Sequence, residues 1–222
     1  MTLRRVKEIV LAGVSITFRF LKPVGQVGRK SEFGRWIELL SSLQENIVIV
    51  EIGTWNGRGT SKQIATGVMK RSDPSVEVKV VGFEIDFDKF RSARKYLAKY
   101  RFFHVIHGSI ITEEQLDRSN LSGDEINWLN QDVAKMQNAP YALNLVPESI
   151  DLLILDGGEF STYSEFRLLE SRITNWVLLD DTHMRKCRRL FTELSESSQY
   201  LLVGFSTERN GTAVFKKITA LD

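Results

Sequence analysis

The chain has 222 residues, of which 26% are charged and 42% hydrophobic, and its formal net charge is +2. This composition is typical of a globular protein and excludes a disordered chain. The near-neutral charge excludes a broad cationic surface of the kind that binds nucleic acid without sequence preference. The single cysteine, Cys187, excludes an intramolecular disulfide and a thiolate zinc site, and it favours a reducing, cytoplasmic location.

The first 45 residues are predicted to be a helical cap or dimerisation segment ahead of a domain at 46–222. One predicted helical face of this segment carries Trp36, Leu39, Leu40 and Leu43. Its longest apolar stretch, residues 9–18, is followed by Arg19 and is too short to cross a bilayer. We therefore expect an amphipathic segment, with contact to a membrane surface as the alternative, and no transmembrane segment.

From residue 47 onward, short apolar runs alternate with longer helical patterns. Strands are predicted at 47–53, 78–85, 102–106, 149–156 and 176–180, with helices at 59–71, 86–100, 161–172 and 184–197. The strand runs are continuously apolar, as in parallel strands that are buried on both faces. Two further strands, at 200–205 and 212–216, flank an Asn210-Gly211 turn signal. The pattern predicts an α/β fold: a doubly wound, mostly parallel seven-stranded sheet with a C-terminal antiparallel hairpin.

Residues 112–147 interrupt the alternation, because they contain no strand-like run. Ser122 and Glu125 have the spacing of a capping box, which predicts the start of a helix. The predicted apolar face of this helix carries Ile126, Leu129, Val133 and Met136. Two interpretations stay open: a connecting helix that covers the sheet, or a lid-like insertion over a substrate.

Ligands of doubly wound sheets bind beyond the carboxyl ends of the strands. Four of the five predicted parallel strands end in acidic residues. Gly53, Gly57 and Gly59 follow the first strand in a loop that can approach a ligand closely, although their spacing departs from the Rossmann dinucleotide pattern. Glu84, at the end of the second strand, can accept hydrogen bonds from both ribose hydroxyls.

These motifs resemble those of class I S-adenosylmethionine-dependent methyltransferases. Glu51-Ile-Gly-Thr-Trp-Asn-Gly57 resembles the family's first motif, and Val81-Gly-Phe-Glu84 resembles its ribose-binding motif. The terminal antiparallel pair is similar to that of the family's Rossmann-like sheet. The resemblance implies S-adenosylmethionine as cofactor, with its methionine end near Gly53, its ribose at Glu84 and its adenine near Ser109. The residues predicted to bind it are Glu51, Gly53, Thr54, Trp55, Gly57, Thr60, Glu84, Ile85, Ser109, Ile110, Asp156 and Gly157.

A metal site is predicted where two later strands end. Asp156 ends one strand, and Asp180 and Asp181 end the next. Adjacent parallel strands lie ~4.8 Å apart, so the three carboxylates are expected to meet, and they would repel one another without a cation. Oxygen ligands favour Mg²⁺ or a similar dication. In the alternative, Asp181 caps the helix that begins near Met184.

The stretches Leu155-Asp-Gly-Gly-Glu159 and Leu179-Asp-Asp-Thr-His183 resemble metal-dependent O-methyltransferases of the catechol and sugar (macrolide-sugar, rhamnosyl) type. The resemblance implies methyl transfer to a hydroxyl of a small acceptor, with a sugar or glycoside favoured over a catechol. Many relatives place His or Lys where this chain has Glu159. Glu159 and His183 are therefore alternative candidates for the general base, and His183 can equally be a polar loop residue.

The helix after this motif begins with a basic run: Arg185, Lys186, Arg188 and Arg189. We expect a solvated helix face there, with contact to an anionic acceptor as the alternative. A small hydroxylated molecule is the expected partner, nucleic acid is not expected, and a homo-oligomer stays open. The competing functions are a metal-independent methyltransferase of RNA or protein, and a non-catalytic nucleotide-binding subunit on the same fold.

Overall fold

The computed structural model describes residues 27–218. Its strands are β1 (Val48–Ile52), β2 (Lys79–Glu84), β3 (Phe103–His107), β4 (Ile150–Leu155), β5 (Ile173–Asp180), β6 (Tyr200–Ser206) and β7 (Thr212–Lys217). They form one seven-stranded sheet in the order β3-β2-β1-β4-β5-β7-β6. The α-helices are α1 (Glu32–Ser42), α2 (Thr60–Val68), α3 (Phe87–Leu97), α4 (Gly123–Met136), α5 (Thr162–Leu169) and α6 (Arg185–Glu196).

The sheet has the predicted mixture of directions. β1 pairs in parallel with β2 on one side and with β4 on the other, so that Val50 lies opposite both Val81 and Leu153. β7 runs antiparallel to both of its neighbours, β5 and β6. Because the chain moves outward from β1 to β3 and then returns to β4, the winding reverses between β1 and β4. This reversal opens a crevice at the carboxyl ends of the two strands, where ligands of such sheets bind.

Both faces of the sheet are covered by helices. Successive side chains of a strand point to opposite faces. Ile49 accordingly packs with Ile64 under α1, α2 and α3, whereas Val50 and Leu153 pack with Phe166 under α4, α5 and α6. Two hydrophobic clusters therefore sandwich the sheet, which explains why the central strands are apolar at every position rather than at alternate ones.

Helix α1 packs on the sheet through a face that largely matches the predicted one. Leu40 is buried, and Trp36 and Leu43 pack against the same cluster, whereas Leu39 is 51% exposed. The assignment of Leu39 to this face was therefore wrong, and Phe33 and Ile37 belong to it instead. Phe33, Ile37 and Leu40 belong to the same cluster as β1, so this part of the N-terminal segment contributes to the core of the sheet.

The insertion at 112–147 forms α4, and its predicted capping box is confirmed. The Ser122 backbone N–H donates to Glu125 Oε2 over 2.8 Å. This hydrogen bond, together with those from the side chains of Ser122 and Arg185, lowers the pKa of Glu125 to about 2. Leu129 and Met136 are buried as expected, but Ile126 is exposed, so the apolar face is narrower than predicted. The described helices, all within residues 27–218, include none that is long and apolar enough to span a membrane. The apolar stretch at 9–18 lies outside the described residues.

Candidate active site

The loop after β1 depends on a glycine that no other residue can replace without strain. Gly53 adopts a φ of +89°, and its backbone N–H donates to the carbonyl of Phe83 over 3.0 Å. A Cβ atom at this position would lie 2.2 Å from the carbonyl oxygen of Asp156. Glycine at this position therefore lets the backbone of the loop run directly against the ends of β2 and β4, and it leaves the crevice above them open.

Glu84 joins the end of β2 to this loop. Its Oε2 atom accepts a hydrogen bond from the Trp55 backbone N–H (2.6 Å), and its Oε1 atom accepts one from the Asp86 backbone N–H (2.8 Å). Burial raises the pKa of Glu84 above its usual value, although these two N–H groups favour the charged form. Trp55 is held at a φ of +50°, an uncommon conformation for a residue with a side chain. The carboxylate thus positions the loop and also faces the crevice.

Glu51 lies beneath the loop rather than in the crevice. Its side chain is fully buried and accepts a hydrogen bond from Ser61 Oγ over 2.7 Å. Burial raises the pKa of Glu51 to about 8, with a smaller contribution from the negative charge of Asp156. The neutral acid is therefore favoured near neutral pH. Its position gives Glu51 the role of tying β1 to α2, with no direct line to a ligand in the crevice.

The crevice is a cavity of about 350 Å³. The predicted residues that line it are Gly53, Thr54, Trp55, Thr60, Glu84, Ile85, Ser109, Ile110, Asp156, Gly157, Asp180 and Asp181. The predicted residues outside its lining are Glu51, Gly57, Glu159 and His183. The structure thus brings together most of the predicted cofactor residues and all three predicted metal ligands.

The insertion closes one side of the cavity. The Ser109 backbone N–H donates to the Pro140 carbonyl over 2.9 Å, and the Ala142 N–H donates to the Ser109 carbonyl over 2.8 Å. These bonds fasten the insertion to the end of β3. Asp132, Lys135 and Met136 of α4 line the cavity beside Ser109 and Ile110. Helix α4 therefore covers the sheet and also lines the cavity, and its action as a lid over a substrate stays a prediction.

Asp156, Asp180 and Asp181, together called the acidic rim, meet at the ends of β4 and β5 as the strand order predicts. One carboxylate oxygen of each lies within 4.8 Å of the others. Asp180 is almost completely buried, and its burial beside Asp156 raises the pKa of Asp180 to about 7. Asp181 adopts a φ of +58°, and it does not cap α6, because Met184 is the residue that precedes that helix. The capping alternative for Asp181 is therefore wrong.

Lys186 lies inside the acidic rim, contrary to the prediction of a solvated basic face. Its Nζ atom is 2.8 Å from Asp181 Oδ2 and 3.2 Å from Asp156 Oδ1, and its side chain is only 5% exposed. Arg209 Nη2 adds a second cation, 3.5 Å from Asp180 Oδ2. The acidic rim in this arrangement does not fit a magnesium ion, because the Lys186 ammonium group lies between the carboxylates of Asp156 and Asp181.

The charges of the acidic rim and Lys186 support one another. Burial alone would lower the pKa of Lys186, but the three carboxylates outweigh it and raise the pKa above its usual value. Burial likewise acts to raise the pKa of Asp181, but attraction to Lys186 and hydrogen bonds from Lys186 and Asn210 hold it below its usual value. The lysine and Asp181 are therefore both charged at neutral pH.

The two candidate bases lie beside the cavity rather than in it. Glu159 Oε1 accepts a hydrogen bond from the Lys186 backbone N–H over 3.2 Å, so it stabilises the first turn of α6. Burial raises the pKa of Glu159 above its usual value. His183 is exposed, with its ring 6.1 Å from that of Phe205 and its backbone N–H donating to the Asn210 carbonyl. The acids of the rim are closer to the cavity than either of them.

The ionisable residues that line the cavity and were not among the predicted site residues are Asp86, Lys89, Asp132, Lys135, Glu165, Lys186 and Arg209. Some of them carried a sequence signal. Lys186 precedes Leu190 by four residues and so lies on the apolar face of α6, and Glu165 has the same relation to Leu169 in α5. Asp132 has the same relation to Met136 in α4, whereas Arg209 lies in a loop and carried no such signal.

The comparisons with known proteins confirm the fold. No protein-family model and no curated protein matches the sequence. Among solved structures, a methyltransferase from Geobacter sulfurreducens is similar with a TM-score of 0.57 at 16% sequence identity, over 86% of this chain and 80% of that one. An O-methyltransferase from Bacillus cereus, solved in complex with SAH, gives 0.56 at 15% identity over 88% and 84%. The chain has the fold of a class I S-adenosylmethionine-dependent methyltransferase.

Proposed function

We propose that this protein is an S-adenosylmethionine-dependent O-methyltransferase that acts on a hydroxyl group of a small acceptor. The observation that carries the proposal is one cavity lined by two sets of groups. The Gly53 loop and Glu84 are the groups with which the fold would hold a nucleoside. The acidic rim and Lys186 are groups that can hold and deprotonate a hydroxyl group.

The chain offers a group for each part of the cofactor. Thr60 Oγ1 donates to Asp156 Oδ2 over 2.7 Å, which places both side chains beside the Gly53 loop, where a methionine end would bind. Glu84 accepts two backbone N–H groups, and its remaining lone pairs can accept ribose hydroxyls. Ile110 and Met136 supply apolar surface for an adenine ring. When bound, S-adenosylmethionine supplies an electrophilic methyl group on a sulfonium.

The acidic rim has the chemistry to receive the proton of an acceptor hydroxyl. The hydroxyl oxygen forms a bond to the methyl carbon, the bond from that carbon to sulfur breaks, and the hydroxyl proton must leave. Asp156, Asp180 and Asp181 line the cavity and can accept that proton. Holding both reactants in one enclosed cavity replaces a bimolecular encounter by a local one, which is a large source of rate.

The charge of the cavity favours a small, uncharged acceptor over RNA. Within residues 27–218 the acidic lining residues are Glu84, Asp86, Asp132, Asp156, Glu165, Asp180 and Asp181, and the basic ones are Lys89, Lys135, Lys186 and Arg209. Burial raises the pKa of Glu165 to about 8 and that of Asp180 to about 7, so the charged acids outnumber the four basic residues only slightly. This small excess favours a cationic sulfonium over phosphate groups. A sugar or glycoside hydroxyl fits these conditions, and the preference for it rests on the resemblance of the Asp156 and Asp180 motifs.

The test combines a binding measurement with an acceptor screen. Titration calorimetry of the protein with S-adenosylhomocysteine is expected to give one site, and a screen of sugars, glycosides and phenols with S-adenosylmethionine is expected to release S-adenosylhomocysteine. Gly53→Ala is expected to weaken the binding by at least about tenfold, because the added Cβ meets the Asp156 carbonyl and a positive φ costs ~1–2 kcal/mol.

Gly123→Ala is the matched control, because no atom lies within 4 Å of the position of its added Cβ atom. This variant is expected to bind like the wild type. If the wild-type protein binds neither S-adenosylmethionine nor S-adenosylhomocysteine, the proposed function fails. Binding of the cofactor with no methyl transfer to any acceptor would instead favour the non-catalytic subunit.

A further inference from the structure

Lys186 occupies a place in the cavity that a structural lysine has no need to occupy. It lies in the first turn of α6, and its side chain extends beneath the rim instead of reaching solvent, as a lysine at a helix end usually does. Its ammonium group contacts Asp181 at 2.8 Å and Asp156 at 3.2 Å. A buried lysine costs several kcal/mol of desolvation unless paired, so this position requires the carboxylates.

The carboxylates of the acidic rim already have protein donors on their oxygens. Asp156 Oδ1 accepts from Lys186 and its Oδ2 accepts from Thr60. Asp181 Oδ2 is paired with Lys186, and its Oδ1 accepts from Asn210 over 3.1 Å. The third acid, Asp180, has a guanidinium group 3.5 Å from its Oδ2. These are the oxygens that a dication would need as ligands.

A dication and the ammonium group cannot share this position. Mg²⁺ binds oxygen at ~2.1 Å in a near-octahedral arrangement. An ion bound to Asp156 and Asp181 would lie in the space that Lys186 Nζ occupies, and the two positive charges would repel each other in a buried site. Within residues 27–218, the positive charges beside the acidic rim come from Lys186 of α6 and from Arg209.

We propose that Lys186 is the built-in cation of this site and takes the place of a divalent metal ion. This inference rests on the proposed function and deepens it, since it makes methyl transfer independent of divalent ions. The ammonium group holds Asp156 and Asp181 together, and its charge stabilises the acceptor oxygen as the proton leaves. Because Lys186 is part of the chain, the site does not need to bind an ion from solution.

Binding of Mn²⁺, followed by electron paramagnetic resonance of the free ion, tests the proposal directly. The wild-type protein is expected to leave the signal of free Mn²⁺ unchanged at ion concentrations up to about 1 mM, the weak end of the range for dedicated sites. Lys186→Ala removes the ammonium group and leaves the three carboxylates. This variant is expected to bind one Mn²⁺ with at least about tenfold higher affinity than the wild type, since the oxygens are then free to act as ligands.

Arg189→Ala is the matched control, because this exposed residue belongs to the same helix and pairs with Glu193 outside the cavity. It is expected to behave like the wild type. One-to-one Mn²⁺ binding by the wild type at micromolar concentration would overturn the proposal. So would a Lys186→Ala protein that still binds S-adenosylhomocysteine but gains no affinity for Mn²⁺. If Lys186→Ala does not fold, the Mn²⁺ titrations of the wild type and of Lys186→Met test the proposal in its place.

The result can be separated from the fate of the proposed function. Two quantities are measured with and without EDTA: the affinity for S-adenosylhomocysteine, and the rate at which methyl transfer from S-adenosylmethionine releases it. The proposal expects EDTA to change neither. If the wild-type protein binds Mn²⁺ and loses methyl transfer in EDTA, the proposed role of Lys186 is wrong, but the proposed methyltransferase function is retained. Failure of the wild type to bind the cofactor at all leaves the Mn²⁺ titration as a valid test of what occupies the acidic rim.

Discussion

Glu165 offers a test of how burial controls charge in the cavity. The residue lies on α5, lines the cavity and is only 5% exposed. Its Oε2 atom has no hydrogen-bond partner in the part of the chain from 27 to 218. Burial raises the pKa of Glu165 to about 8, while a hydrogen bond from Ser161 opposes this and the charge of Asp132 adds to it. Glu165→Gln replaces the neutral acid by a neutral amide of the same shape.

The effect of this substitution on stability depends on pH with a defined sign. Below the usual pKa of 4.5, Glu165 is neutral in both the folded and the unfolded state. Between 4.5 and about 8 the unfolded chain has released the proton and the folded chain still holds it, so the wild type loses stability as the pH rises. Gln does not titrate. At about 1.4 kcal/mol per pH unit over this window, the variant therefore gains on the order of 5 kcal/mol relative to the wild type above pH 8.

Urea unfolding followed by circular dichroism at pH 5, 7 and 9 measures this difference. The free energy of unfolding of Glu165→Gln is expected to exceed that of the wild type by an amount that rises with pH and levels off above about pH 8. Glu148→Gln is the control, because the Glu148 side chain is 92% exposed. A Glu165→Gln difference that is the same at pH 5 and pH 9 would refute the assignment of a neutral, buried acid.

Two further substitutions test the site and the core. Thr60→Val removes the hydroxyl that donates to Asp156 Oδ2 over 2.7 Å and is expected to weaken S-adenosylhomocysteine binding about five- to tenfold by calorimetry; an unchanged affinity would separate Thr60 from the cofactor. Arg71→Met removes donors to the backbone carbonyls of Ser41 and Asn46, which join α1 to β1, and is expected to lower the free energy of unfolding by about 2–3 kcal/mol in urea. An unchanged urea midpoint would contradict that role.

The order of elements could be predicted from the sequence because it depends on local patterns. Apolar runs such as 149–156 are too short for helices and too continuous for half-exposed strands, so they indicate buried parallel strands. The capping box at Ser122 marks the start of α4 within one residue. The convergence of the acidic rim also followed from the sequence, since the carboxyl ends of neighbouring parallel strands meet at one edge of the sheet.

The direction of individual side chains was less accessible, because it depends on how each helix is rotated against the sheet. The face of α1 was only partly right: Leu40 is buried as predicted, but Leu39 is exposed and Ile37 is fully buried. The run at 185–189 was expected to be solvated as a whole, yet Arg185 pairs with Glu125 and Lys186 is buried. A count of charges along the chain cannot show which of them the packing of a helix turns inward.

What the sequence by itself determined is therefore the sheet, the order of its strands and the edge at which polar groups meet. Only the tertiary structure decided what balances the acids at that edge. Leu190 and Leu194 anchor α6 in the core, and Lys186 lies on the same face, one turn ahead of Leu190. Packing of the two leucines thus directs the ammonium group to Asp156 and Asp181. The sequence predicted a divalent metal ion at this place, whereas the folded chain places the ammonium group of Lys186 there.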